Sequence, residues 1–138
     1  MKKIVIDTSV IVSALIGEKG PSREVLRRSL HGQYQPLISN SLFLEYEDVI
    51  RRSRIQQLCP LNFTEIEDLL HALYRVSDWI QIYYLWRPNL RDESDNFLIE
   101  LAIAGNAELI VSNNIKDFAN TELLFDGLRV CKPEKLLL

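Results

Sequence analysis

Four carboxylates in this chain, Asp7, Glu45, Asp95 and Asp117, are placed where they could act together. Asp7 is the single charged residue of IVIDTSVIVSAL, residues 4–15, and a carboxylate in so apolar a run is costly unless something pairs with it. Glu45 lies three residues past Leu42 and four before Val49, so it borders the apolar stripe of a helix. Asp95 opens a helix over 94–104 and shares a face with Leu98 and Ala102, and Asp117 stands in the turn after an apolar strand. Each acid has a plainer reading. Asp7 fits a helix N-cap and Asp95 a first-turn acid favoured by the helix dipole. Glu45 fits a solvated face, since Glu47 borders the other side of the same stripe, and Asp117 fits an ordinary loop. Brought together, the four would be unstable alone. Two carboxylates about 4 Å apart repel by roughly 4 kcal/mol at an effective dielectric of 20. Some must take up protons, or a cation must bind. An oxygen-only site with waters suits Mg²⁺ or Mn²⁺, whereas zinc draws His or Cys ligands. Metal held by carboxylates, with no other nucleophile in view, points to hydrolysis of a phosphodiester by activated water.

The elements that must position these acids alternate. KIVI (3–6) reads as a buried strand and DTSVIVSALI as a helix capped by Asp7, Thr8 or Ser9. Gly17 and Gly20-Pro21 break the chain before a second helix, SREVLRRSLHG. QPLIS (35–39) reads as a strand, followed at once by one helix over NSLFLEYEDVIRRSRI. FTEIEDLLHALYRVS is a further amphipathic helix, with Thr64 and Glu67 spaced as a capping box. WIQIYY (79–84) is strand-like, RPNLRDESD a polar loop, and SDNFLIELAIAGN a helix ending at Gly105-Asn106. ELIVS (108–112) is a strand followed by the turn NNIKDF, and LRVC with a short helix after Pro133 completes the chain. Such alternation predicts a mainly parallel α/β sheet covered on both faces, in which ligands bind outside the carboxyl ends of the strands. Those ends carry Asp7, then Ser39-Asn40-Ser41, then Ser112-Asn113-Asn114.

Composition narrows the remaining choices. At 138 residues, without internal repeats or linkers, residues 1–138 are expected to form one domain. A net charge of −3 gives no overall pull towards nucleic acid or anionic membrane, so a polyanionic substrate requires a local basic patch or bound cations. Cys59 and Cys131 match no metal or redox spacing and read as free thiols of a reducing compartment. Asp7 interrupts what could pass for a signal peptide, and no apolar run approaches a membrane span, so the expected location is cytoplasmic. His31 and His71 fall in helices far from the acidic junctions. Neither a Ser/His/Asp or Cys/His arrangement nor a Gly-rich phosphate loop is present.

DTSVIVSAL, SLFLEYEDVI and RDESDNFLIELAIAGNAELIVSNNIKDF together resemble the PIN-domain ribonucleases, above all the toxin components of bacterial and archaeal type II toxin–antitoxin pairs. The resemblance implies a three-layer α/β/α Rossmann-like fold with a mainly parallel sheet of four or five strands and an RNase site at its carboxyl edge. The family's first acid falls on Asp7, with the following hydroxyls on Thr8 and Ser9. Its helix glutamate falls on Glu45, its third acid on Asp95 and its last on Asp117. Many relatives carry an aspartate nearer the strand, where this chain has Asn114, which keeps an oxygen ligand and removes a charge. Ser112 takes the place of the usual threonine, and Asp92 lies in a loop that is acid-rich in relatives. The implied activity is Mg²⁺- or Mn²⁺-dependent cleavage of single-stranded RNA. In that picture Asp7, Asp95 and Asp117 hold the metal, Glu45 completes the shell or orients water, and Ser9 and Ser112 position ligands or substrate. Implied partners are a cognate antitoxin and a second copy of the chain, with YYLWRP (83–88) either an interface or a half-buried strand end. Arg23, Arg27 and Arg28, or Arg51, Arg52 and Arg54, would contact the RNA backbone or simply solvate their helices. A different class remains open: a PIN-like module that binds RNA or protein without cutting. A receiver domain would need an acid beside Asp7 and an aspartate at Asn40, and a D-x-D phosphatase would need one at Ser9.

Overall fold

In the computed structural model, which describes residues 1–17, 20–82, 96–114 and 128–138, Lys2–Ile6 (β1) forms the middle of a five-stranded sheet. Tyr34–Ile38 (β2) and Asp78–Trp79 (β3) extend the sheet on one side. Leu109–Val111 (β4) and Arg129–Cys131 (β5) extend it on the other, giving the order β3-β2-β1-β4-β5. All four strand pairings are parallel. Ile4, Val5, Ile6, Leu37, Ile38, Ile110 and Val111 are buried, as strands covered on both faces require. This is the α/β architecture expected from the alternation of elements.

The order reverses between β1 and β4. Chain growth runs outward from β1 through β2 to β3, then crosses back to β4, so the carboxyl ends of β1 and β4 flank a topological switch point. Ile6 is in register with Val111, and Val111 with Cys131, so the residues that follow, Asp7 and Ser112, leave the sheet side by side.

Seven helices occur among the described residues. Thr8–Ile16 (α1) and Pro21–Leu30 (α2) link β1 to β2. Asn40–Ile50 (α3), Ser53–Leu58 (α4) and Phe63–Val76 (α5) lead on to β3. Asn96–Ala104 (α6) precedes β4, and Pro133–Leu136 (α7) follows β5. Gly105 ends α6 where that helix approaches β2. A Cβ there would lie 2.5 Å from Leu37 Cδ1, so any larger residue would force the buried Leu37 side chain to shift. No helix of the described residues is long and apolar enough to cross a membrane.

Three local expectations are corrected. The helix read over 40–55 is two helices, because the Arg51 and Arg52 amides close α3 onto the Asp48 and Val49 carbonyls and the chain turns before α4. The capping box of α5 is Asn62 with Glu65, not Thr64 with Glu67: Asn62 Oδ1 accepts from the Glu65 amide at 2.9 Å and Glu65 Oε1 from the Asn62 amide at 3.0 Å. The strand WIQIYY shrinks to a β3 of two residues. Its partner β2 ends at Ile38 because Ser39 caps α3, so after the Ile80 amide reaches the Ile38 carbonyl at 2.8 Å nothing is left to pair with. Tyr83, Tyr84 and the loop RPNLRDESD lie outside the described residues, as do Ile115 to Phe118 of the NNIKDF turn.

Candidate active site at the switch point

Asp7 is 6% exposed and holds the N-cap position of α1, yet its side chain caps no amide of that helix. Its backbone amide donates to the Val111 carbonyl at 2.9 Å, which ties it to the end of β4. The carboxylate turns across the switch point instead. Oδ2 accepts from Ser9 Oγ at 2.8 Å and from Ser112 Oγ at 2.6 Å. Each hydroxyl is itself oriented by an amide: Asn113 N donates to Ser9 Oγ at 3.0 Å, and Asn114 N to Ser112 Oγ at 2.9 Å. Asn113 Nδ2 also reaches the Ser9 carbonyl, at 3.3 Å. Such relays of amide, hydroxyl and carboxylate polarise one another.

These donors are neutral, so the charge of Asp7 is solvated but not cancelled. None of the ion pairs among the described residues includes it. Both hydroxyl bonds fall on Oδ2, and Oδ1 receives none from the described residues. Thr8 Oγ1, one residue on, is the single buried side-chain N or O atom among the described residues that lacks a hydrogen-bond partner. A half-used carboxylate followed by an orphaned hydroxyl is an all-oxygen donor set, which fits a hard cation such as Mg²⁺ or Mn²⁺.

Tyr46 fixes α3 against this end of β1. Its hydroxyl donates to the carbonyl of Ile6, the residue before Asp7. Burial first, and then the negative charge of Asp7, push the phenol well above its ordinary range, so it remains a neutral donor. Tyr46 is a site-building residue that the sequence did not single out, although its place between Leu42 and Val49 on the apolar stripe was the available signal.

The two glutamates flanking Tyr46 are sorted by their partners. Glu47 is occupied: Tyr74 Oη donates to it at 2.6 Å and Arg51 Nη1 at 2.9 Å. Glu45 is half-buried and makes no hydrogen bond or ion pair with the described residues. Asn114 is exposed and enters the network through its backbone amide. Asp92, Asp95 and Asp117 lie outside the described residues, and among the described residues no group of three His, Cys, Asp or Glu could hold a metal. The arginines proposed for the RNA backbone are mostly engaged with their own helices. Arg27 and Arg28 bind Glu24, Arg51 binds Glu47, and Arg52 binds Asp48. Arg23 donates to the Gly17 carbonyl at 3.0 Å.

A family model described as PIN domain matches residues 3–116. The chain belongs to the PIN-domain family. PIN domains are generally nucleases, that is, hydrolases of phosphodiester bonds. This PIN domain is similar in structure to VapBC2 from Rickettsia felis, solved bound to a DNA fragment from their promoter. The TM-score is 0.58 at 16% identity, over 93% of this chain and 96% of that one. At that identity the likeness speaks for the fold. No curated protein matches this PIN domain in sequence.

Proposed function

We propose that this PIN domain is a Mg²⁺- or Mn²⁺-dependent endoribonuclease that cuts single-stranded RNA as the toxin of a toxin–antitoxin pair. One observation carries the reading: among the described residues the buried Asp7 carboxylate is held by two hydroxyls and by no cationic side chain, and its Oδ1 accepts no hydrogen bond. The resemblance of DTSVIVSAL and DNFLIELAIAGNAELIVSNNIKDF to such toxins supports the same assignment.

In this reading Asp7, Asp95 and Asp117 hold the ion, directly or through water, with Asp92 and Asn114 as auxiliary oxygen donors. The ion, when bound, lowers the pKa of the attacking water and stabilises the leaving oxygen. Ser9 and Ser112 aim Asp7 rather than touch substrate, since both hydroxyl protons are already committed to its Oδ2. Glu45, which has no other partner among the described residues, completes the shell or orients the attacking water, and Thr8 offers its orphaned hydroxyl. We further propose that residues 1–138 act as one cytoplasmic domain, dimerise, and are held inactive by a cognate antitoxin.

The test is incubation of labelled single-stranded RNA with the purified protein in Mg²⁺, in Mn²⁺ and in EDTA, with Asp7→Asn and Asp95→Asn alongside. Metal-dependent cleavage that both variants lose is the expected result. Full activity in either folded variant overturns the assignment. Asn114 favours a second reading, a module that binds RNA without cutting. Metal-independent RNA binding with no turnover would select it.

A further inference from the structure

Trp79 is the one aromatic side chain among the large exposed hydrophobics of the described residues, at 51% exposure. It stands on the same row as the site. Ile6 is level with Val111, continuation of the β1–β2 register sets Ile6 level with Ile38, and Ile38 pairs with Trp79. Trp79 therefore lies at the carboxyl edge, two strands from Asp7, about 10 Å across the sheet. The indole is braced on its inner side. Nε1 donates to the Tyr74 carbonyl at 3.2 Å, Phe43 packs at 5.5 Å and Tyr74 at 6.1 Å between ring centroids. A ring whose packing and polar atom are both satisfied within the fold, and which still leaves half its surface in water, is a preorganised stacking surface.

The surroundings suit a nucleic acid better than a protein. The other large exposed hydrophobics among the described residues, Met1, Ile16, Leu44, Leu58 and Leu138, belong to elements other than β3, whereas a protein interface needs a contiguous apolar patch. Between β1 and β3 the carboxyl edge carries the uncharged Ser39, Asn40 and Ser41, which do not repel a phosphate chain. Asp78 alternates to the opposite face of the strand. Arg75, next to Tyr74 in α5, is exposed and takes part in no ion pair among the described residues.

We propose that Trp79 is a substrate-positioning residue whose exposed face stacks on a base of single-stranded RNA lying along the carboxyl edge, a short stretch of chain away from the phosphate at Asp7. This rests on the ribonuclease reading and deepens it. Stacking tolerates any base, so Trp79 contributes affinity and register rather than sequence specificity.

The experiment compares the wild type with Trp79→Leu and Trp79→Phe on short RNAs carrying a single abasic position moved along the strand. Leucine keeps the apolar packing against Phe43 and Tyr74 but has no π-face. Trp79→Leu should raise KM about tenfold with kcat unchanged, and Trp79→Phe should recover most of the loss. The wild type should lose affinity when one particular base is removed, and Trp79→Leu should be indifferent to that removal. Equal KM in wild type and Trp79→Leu, or the same abasic profile in both, overturns the proposal while leaving the ribonuclease intact. A change of oligomeric state in Trp79→Leu without a change in KM also overturns it and assigns the ring to a protein contact. Failure of the wild type to bind or cut any RNA refutes the ribonuclease reading itself, and the stacking proposal with it.

Discussion

Glu24 and Asp7 each collect side-chain donors from two residues, and they do so to opposite ends. Glu24, on the exposed face of α2, receives Arg27 Nη2 at 2.6 Å and Arg28 Nε at 2.9 Å, and hydrogen bonds from the two guanidiniums lower its pKa to about 2. Its charge is more than cancelled, so the cluster is finished as an object and asks for nothing further. Asp7, buried at the switch point, receives two serine hydroxyls at 2.8 and 2.6 Å. They fix its direction but leave its charge. The difference separates a carboxylate neutralised by cations from one that, among the described residues, meets only neutral donors. A buried carboxylate supported only by neutral donors retains its full demand for a cation.

The sharpest way to break the contrast is to remove the charge at the incomplete end. Asp7→Asn keeps an oxygen for the two hydroxyls and deletes the negative charge. Cleavage of RNA should fall by about a hundredfold or more, with a melting temperature no lower than wild type. A large drop in thermal stability would show that the charge is structural. Next, Ser112→Ala removes one of the two aiming bonds and leaves the Asn114 amide without its acceptor. Activity should fall by about tenfold, with the Mg²⁺ concentration for half-maximal cleavage raised, because supporting hydrogen bonds tune metal affinity. An unchanged Mg²⁺ requirement would remove Ser112 from the site. Third, Mg²⁺ at a hundred times its Kd should stabilise the wild type by about 2.7 kcal/mol and leave Asp7→Asn unmoved, as read by thermal unfolding. Equal stabilisation of both would place the ion elsewhere.

The smallest effect belongs to the finished cluster. Glu24 has a folded pKa of about 2 against an ordinary 4.5, so its contribution to stability is fully present above 4.5 and is lost as pH falls from there towards 2. The melting temperature of the wild type should decline slightly more steeply over that window than that of Glu24→Gln, and RNA cleavage at neutral pH should be the same in both. Identical acid profiles would show that solvent screening removes the benefit.

What could be read from the chain beforehand was what is local. Asp7 stood out because its neighbours are apolar, and the strands β1, β2 and β4 because they are short apolar runs closed by polar residues. The α/β alternation followed from these. The misreadings have non-local causes. The extent of β3 is decided by where β2 stops, and β2 stops because Ser39 is needed as a cap. The break between α3 and α4 carries neither glycine nor proline to announce it. Glu45 and Glu47 are indistinguishable by spacing, and what separates them is Tyr74, 27 residues further along. One partner of Asp7, Ser9, is two residues away, but the other, Ser112, lies 105 residues along the chain, beyond any local window. Asp95 and Asp117 were named from resemblance and from their positions beside a helix and a strand, and both lie outside the described residues.

The bond between Ser112 and Asp7 also orders the steps by which the site can assemble. β1 precedes β4 by about a hundred residues, and its carboxylate gains its second hydroxyl only when β4 has inserted beside it. A chain that has assembled only β1, β2 and β3 leaves one side of β1 open and holds Asp7 through Ser9 alone. Closing the sheet centre and completing the clamp on Asp7 are therefore one event, and no partly assembled sheet can have the second without the first.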